Sequence, residues 1–304
     1  MAWRPERTVE IIAGTPPGGG LDRAARALAN AIEANRLVDV AVKVVNVGGD
    51  GGRKAWTYID RYADDAHVLG ISSPNMIADY LTGATQSDPA RYTPLAILYT
   101  EYIAFVVAAH SVLRNGDDLL QRLAQNATDV TVALATSIGN SNHIALAGVI
   151  RHAGADTRAV TIRVFDTALD AVADVVAGNA DVGAITAASA VAELAAGRLR
   201  TIGVSAPTRL ADPYAAVPTW EEQGVDCVVG SWRGATGPAG LSPGQIVFWQ
   251  SVLAATIKTT EWKCALASHF WTEFHIEGAE LRAHLQRERG AMRAILAPLG
   301  LLAR

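Results

Sequence analysis

Cysteine is nearly absent from this 304-residue chain: Cys227 and Cys264 are the only two. No disulfide framework is available beyond a single bridge, and the apolar neighbours of both residues point instead to two buried thiols. Charge of one sign is scarce as well. The 26 Lys and Arg against 30 Asp and Glu leave a formal net charge of −4, and the arginines are scattered without forming a basic run. That balance gives no general attraction for nucleic acid or anionic lipid, so nucleic acid is excluded as a partner. No apolar run approaches the roughly 18 to 20 residues needed to span a bilayer. The segment Met1-Ala2-Trp3-Arg4-Pro5-Glu6-Arg7 lacks the apolar stretch of a signal peptide, which leaves a cytosolic protein or a mature exported one. Internal repeats of about 20 to 50 residues are also missing.

The common signatures of catalysis are equally scarce. Gly203-Val204-Ser205 runs into Ala206 and Pro207, and Gly139-Asn140-Ser141 into Asn142 and His143, so no Gly-x-Ser-x-Gly elbow exists. No His-Glu-x-x-His helix is present. His269, His275 and His284 stand apart, and a metal site would have to gather ligands from unrelated segments. Neither a metal nor a cofactor is expected.

What the sequence does contain is core: 50% of its residues are hydrophobic. Short β-rich runs alternate with helical patterns, which implies α/β architecture with parallel sheets and crossover helices. The expected strands are Val9 to Ala13, Val40 to Val45, Val68 to Ile71, Ile103 to Ala108, Val130 to Ala135, Ile162 to Phe165, Val182 to Ile185, Thr201 to Val204 and Val228 to Gly234. In the last third, Pro243 to Ile257, Glu261 to Phe270 and Ala279 to Leu296 read as helices. Two lobes result, each with a glycine loop at the carboxyl end of a strand, where open α/β sheets bind ligands.

The first loop is Thr15-Pro16-Pro17-Gly18-Gly19-Gly20-Leu21-Asp22. A strand that turns into a helix through glycine leaves amide donors open at the positive end of the helix dipole, a seat for an anion. The alternative is a tight turn in which glycine merely allows positive φ. Nucleotides fit poorly: Arg23 stands where a dinucleotide fingerprint needs glycine or alanine, and no Gly-Lys-Ser/Thr follows. A carboxylate matches a few backbone donors better. Asp22, in the first helical turn, reads as a cap that also orders the loop. The second loop, Thr136-Ser137-Ile138-Gly139-Asn140-Ser141-Asn142-His143, repeats the design. His143 reads as a ligand-site or loop-bracing residue; as a general base it needs a nucleophile, for which Ser137 and Ser141 are candidates only by proximity.

Taken together and in order, the motifs resemble the solute-binding receptors of tripartite tricarboxylate transporters, the Bug family. They are Pro17-Gly18-Gly19-x-x-Asp22 with Ala25-Arg26, Asn46 before Gly48 to Gly52, Asp65 to Leu69, Tyr92-Thr93-Pro94, Gly139-x-x-x-His143, Gly178-Asn179-Ala180-Asp181, Gly197-Arg198-Leu199-Arg200, Val217-Pro218-Thr219, and Trp232-x-Gly234 with Pro238-Ala239-Gly240. The resemblance implies a type II periplasmic binding protein fold, two Rossmann-like lobes with a ligand cleft between them. Lobe 1 would comprise residues 1–101 and 230–304, lobe 2 residues 102–229, with crossovers near Thr100 to Tyr102 and Val229 to Trp232. It also implies a monomeric periplasmic receptor, its signal peptide removed, that closes over a small organic carboxylate and hands it to membrane permease subunits.

Carried onto this chain, the ligand-binding residues are Thr15, Pro17, Gly18, Gly19, Gly20 and Asp22 in one jaw. Ser137, Gly139, Asn140, Ser141, Asn142 and His143 form the other, and Ser73, Asn75, Phe165, Asp166 and Thr186 complete the lining. Three departures from the family pattern bear on the ligand. Gly14-Thr15 replaces Pro-Phe, Asn140 replaces a serine or threonine, and Phe165-Asp166-Thr167 replaces Tyr-Lys-Gly. An Asp166 facing the ligand disfavours a second carboxylate there and favours a hydroxyl or amino group. Two other readings stay open: a hydrolase or lyase with His143 as base, and a carboxylate-sensing receptor.

Overall fold

The structure, a computed structural model, describes residues 3–303. Met1, Ala2 and Arg304, which the sequence reading assigns to lobe 1, lie outside the described residues. In chain order the elements are β1 (Val9–Ala13), α1 (Gly20–Ala34), β2 (Val42–Asn46), α2 (Arg53–Ile59), β3 (Val68–Ser72), α3 (Asn75–Leu81), β4 (Thr93–Ala108), α4 (Gly116–Asn126), β5 (Thr131–Ala135) and α5 (Ser141–His152). There follow β6 (Thr161–Phe165), α6 (Ala168–Val176), β7 (Val182–Thr186), α7 (Ala187–Ala195), β8 (Leu199–Val204), β9 (Gly230–Gly237), α8 (Pro243–Thr256), α9 (Thr260–Ser268), β10 (Thr272–Glu277) and α10 (Gly278–Leu296).

Two compact units divide the chain. Among the described residues the first holds 3–100, Trp232–Ala294 and 302–303; the second holds Glu101–Ser231 and Ile295–Leu301. The sequence reading places 1–101 and 230–304 in lobe 1, whereas Glu101, Gly230, Ser231 and Ile295–Leu301 group with the second unit.

In the first unit the strands run β2-β1-β3-β9-β4. β1 pairs in parallel with β2 and β3, and β9 returns antiparallel to β3, with Ile71 opposite Ala235. The short apolar strand β1 is buried at four of its five positions, as a strand covered on both faces must be. Helix α1 turns Ala24, Leu28, Ala31 and Ile32 onto the sheet, where they share a core with Leu253 and Trp262 of α8 and α9. This is helical periodicity presenting one apolar stripe. A smaller cluster of Ile12, Ala55, Ile59, Val68 and Tyr92 also packs in this unit.

In the second unit the latter part of β4 pairs antiparallel with β7 and β8, and β5 lies parallel between β6 and β7. Its core gathers Phe105, Val132, Leu134, Leu146, Val149, Val182 and Trp220. The two thiols differ from expectation. Cys227 is buried in this core, and Cys264 is exposed, both without a disulfide. On α9 the buried face is set by Trp262 and Leu266, and residue 264, two positions on, points the other way.

Candidate anion seats

The first glycine turn consumes most of its own polar groups. The Gly18 amide donates to Asp22 Oδ2 at 2.8 Å, and the Asp22 amide donates to Thr15 Oγ1 at 3.1 Å. Asn46 Nδ2 reaches both the Thr15 carbonyl (2.9 Å) and Asp22 Oδ1 (2.8 Å), while Arg26 Nε spans both carboxylate oxygens at 2.9 and 3.0 Å. Burial by itself would raise the Asp22 pKa, but the bonds from Arg26, Asn46 and Gly18 outweigh it and hold the carboxyl below its ordinary value. Asp22 thus braces the turn. It reaches back to Gly18 and leaves the helix amides open. Thr15 Oγ1 serves the same brace as an acceptor, which leaves its O–H able to donate.

Gly14 is required for a separate reason. A Cβ there would lie 3.1 Å from the Gly52 carbonyl oxygen and 3.3 Å from Ala55 Cβ, so the Gly48 to Gly52 turn packs directly on the strand end that leads into Thr15. Asp22→Asn keeps the volume but loses the charge that Arg26 and Gly18 share. We expect it to cost about 1 to 2 kcal/mol, read as a lower denaturation midpoint with unchanged slope.

What remains open in the turn is narrow. The amides of Gly20 and Leu21 begin α1 and meet no acceptor among the described residues. Two guanidinium groups face the same spot: a Cβ on Gly20 would lie 3.9 Å from an Nη atom of Arg23 and 3.9 Å from one of Arg233. Arg23 also donates to the Gly18 carbonyl at 2.7 Å. Arg233, only 8% exposed, donates to the Trp232 carbonyl at 2.9 Å. Arg233 escapes the sequence reading, which takes Trp232-x-Gly234 as a family motif and Val229 to Trp232 as a crossover. A lone charge inside an apolar strand was the available signal.

The second turn is built alike and braced differently. Asn140 caps α5, accepting from the His143 amide at 3.1 Å, and its Nδ2 donates to the Ala135 carbonyl (2.7 Å) and Thr136 Oγ1 (2.9 Å). Its amide faces the turn, so the departure at this position trades a hydroxyl for a brace. Thr136 adopts φ 69°, a left-handed conformation that a β-branched residue enters only when its surroundings impose it. His143 Nδ1 accepts from the Gly139 amide at 3.0 Å, which places the ring proton on Nε2. Burial lowers the His143 pKa to about 4, so the imidazole is neutral and a weak proton acceptor near pH 7.

Around this brace lies a set of polar groups with nothing to bind. The amides of Ser141 and Asn142 meet no acceptor among the described residues. The Ser137 hydroxyl is buried and forms no hydrogen bond there either, and Ser141 and Asn142 are themselves only 4 and 6% exposed. Buried polar groups are normally satisfied. The remaining residues named from sequence also fall at strand ends. Ser73 and Asn75 follow β3 beside the first turn; Phe165 and Asp166 end β6, and Thr186 ends β7 and bonds Ser189 Oγ at 3.0 Å. Asp166 is exposed and Thr186 buried.

Two α/β units, each with an amide seat at the carboxyl ends of parallel strands, give this chain the architecture of a periplasmic binding protein. The profile of the tripartite tricarboxylate transporter family receptor (TctC) matches residues 25–294. The chain belongs to that family. It is 28% identical over 208 residues to the "UPF0065 protein in tcbD-tcbE intergenic region" of Pseudomonas sp. (strain P51), a match covering 67% of this chain and 60% of that relative. MatC of Rhodopseudomonas palustris, solved with bound malate, is 21% identical over 96% of this chain and 99% of its own, with a TM-score of 0.82. Rpa4515 of R. palustris, solved with adipate, is 19% identical over 97% and 98%, with a TM-score of 0.88. At such identities the two structures speak for the fold alone.

Proposed function

We propose that this chain is the extracytoplasmic receptor of a tripartite tricarboxylate transporter, capturing a small organic carboxylate for delivery to the membrane permease subunits. The observation that carries the reading is the second turn, where the Ser137 hydroxyl is buried without a partner in the same turn as two open amides. An anion with several acceptor oxygens supplies what those donors lack. The carboxylate is bound and released unchanged. His143, with Nδ1 occupied by the Gly139 amide, holds the turn and offers its Nε2 proton.

Calorimetric titration with malate, adipate and their monocarboxylate, hydroxy and amino analogues tests the reading. At least one is expected to bind without product formation, and Ser137→Ala is expected to weaken that ligand about tenfold through one lost hydrogen bond. Turnover of the ligand, or absence of binding across the series, would overturn it. Small-angle scattering tests the closure attached to this reading: ligand saturation is expected to reduce the radius of gyration.

A further inference from the structure

Within the first unit, the strand pleat separates Arg233 from a cavity of about 450 Å³. Along β9, Trp232 and Thr236 line that cavity, while Ala235 belongs to the core shared with α1, and Arg233 reaches Gly20. Alternate residues of a strand point to opposite faces. The cavity walls are apolar, with Met76, Ile77, Ile97, Trp232, Leu281 and Leu285 prominent. Of the polar groups lining it, Thr236 Oγ1 donates to Ser72 Oγ at 2.9 Å and Trp232 Nε1 donates to Glu288, while the Tyr92 hydroxyl is buried with no hydrogen-bond partner among the described residues.

The mouth is different. Arg282 and Gln286 of α10 line it and are exposed. Arg289, the other lining guanidinium, is held by Asp88 at 3.1 Å and lies 4.9 Å over the Tyr80 ring. Arg282 has no ion pair or hydrogen bond among the described residues. A volume of about 450 Å³ falls within the range of ligand pockets.

We propose that this cavity is a second ligand site, taking a single-chain amphiphilic carboxylic acid with its tail among the apolar walls and its carboxylate on Arg282. The site is independent of the amide seats and of the transport reading. Calorimetry with decanoate below its micelle concentration tests it. Wild-type protein is expected to bind decanoate, and Gly20→Asp, which alters only the amide seat, is expected to bind it unchanged. Leu285→Trp fills the cavity, and Gln286→Trp blocks its mouth from an exposed position; each is expected to weaken decanoate at least about tenfold at unchanged melting temperature. Arg282→Glu is expected to weaken decanoate but not 1-decanol. No decanoate binding by the wild type, survival of binding in both tryptophan variants, or its loss in Gly20→Asp would overturn the proposal.

Discussion

Gly20→Asp is expected to weaken capture of small carboxylates by about 100-fold or more, with the melting temperature at or above that of the wild type. The new side chain has room: apart from the two guanidinium ends at 3.9 Å, nothing crowds a Cβ at this position. Its carboxylate would stand at the first residue of α1, beside the open amides of Gly20 and Leu21 and between Arg23 and Arg233. An acidic group there is favourable to the helix, so the fold gains while the seat is filled by the protein's own anion. Loss of binding with retained stability is a result that general damage cannot produce.

The neighbouring glycine makes a poorer test. A Cβ on Gly19 would come within 2.6 Å of Thr15 Cβ and Oγ1, displacing the hydroxyl that holds the Asp22 amide. Any substitution there therefore distorts the brace, whatever its charge. Calorimetry on Gly20→Asp and Gly20→Ala separates the two effects: alanine is expected to retain most affinity. Equal affinity of Gly20→Asp and wild type would place the ligand elsewhere.

Much of this was legible in the chain because it is local. Apolar Val9 to Ala13, three glycines and a helical stripe within about two turns are enough to locate an amide seat, and the second turn repeats the pattern. What the seat is made of was less legible. The Asp22 carboxylate is fixed partly by Asn46, and Arg233 reaches Gly20 from the far end of the sequence; nothing in local periodicity signals such pairs. The same holds for the strands that were missed. β4 begins at Thr93, ten residues before the expected Ile103, because Pro94 reads as a breaker and the strand is specified by its neighbours. β10 follows α9 closely and leads straight into α10, and it is a strand because Ile276 and Glu277 pair with β4. Cross-strand partners decide such segments.

The largest stability effects are expected from two buried titrating groups whose pH slopes oppose each other. In the second unit, His143 binds its proton with a pKa of about 4, against an ordinary value of 6.5. Its contribution is complete above pH 6.5 and is lost as pH falls toward 4, about 3 kcal/mol in all. In the first unit, Glu288 accepts from Trp232 Nε1 and lies 3.8 Å from His284 Nε2, its side chain four-fifths covered. Burial raises its pKa to about 7, against an ordinary 4.5, with the Trp232 bond acting in the other direction. An acid held protonated in the fold favours the folded state at low pH. That contribution is complete below pH 4.5 and is lost as pH rises through 7, again about 3 kcal/mol at most. Between pH 4.5 and 6.5 the two slopes offset each other, so wild-type stability should change little. Single variants unmask them. Glu288→Gln is expected to stabilise the protein by up to about 3 kcal/mol at pH 8 and by almost nothing at pH 4, leaving a curve that falls steeply with acid. His143→Gln is expected to leave the opposite curve, with stability rising as pH drops from 7 to 5. Chemical denaturation of both variants across pH 4 to 8 checks the signs, and parallel curves for variant and wild type would show that neither group is buried in the state its surroundings imply.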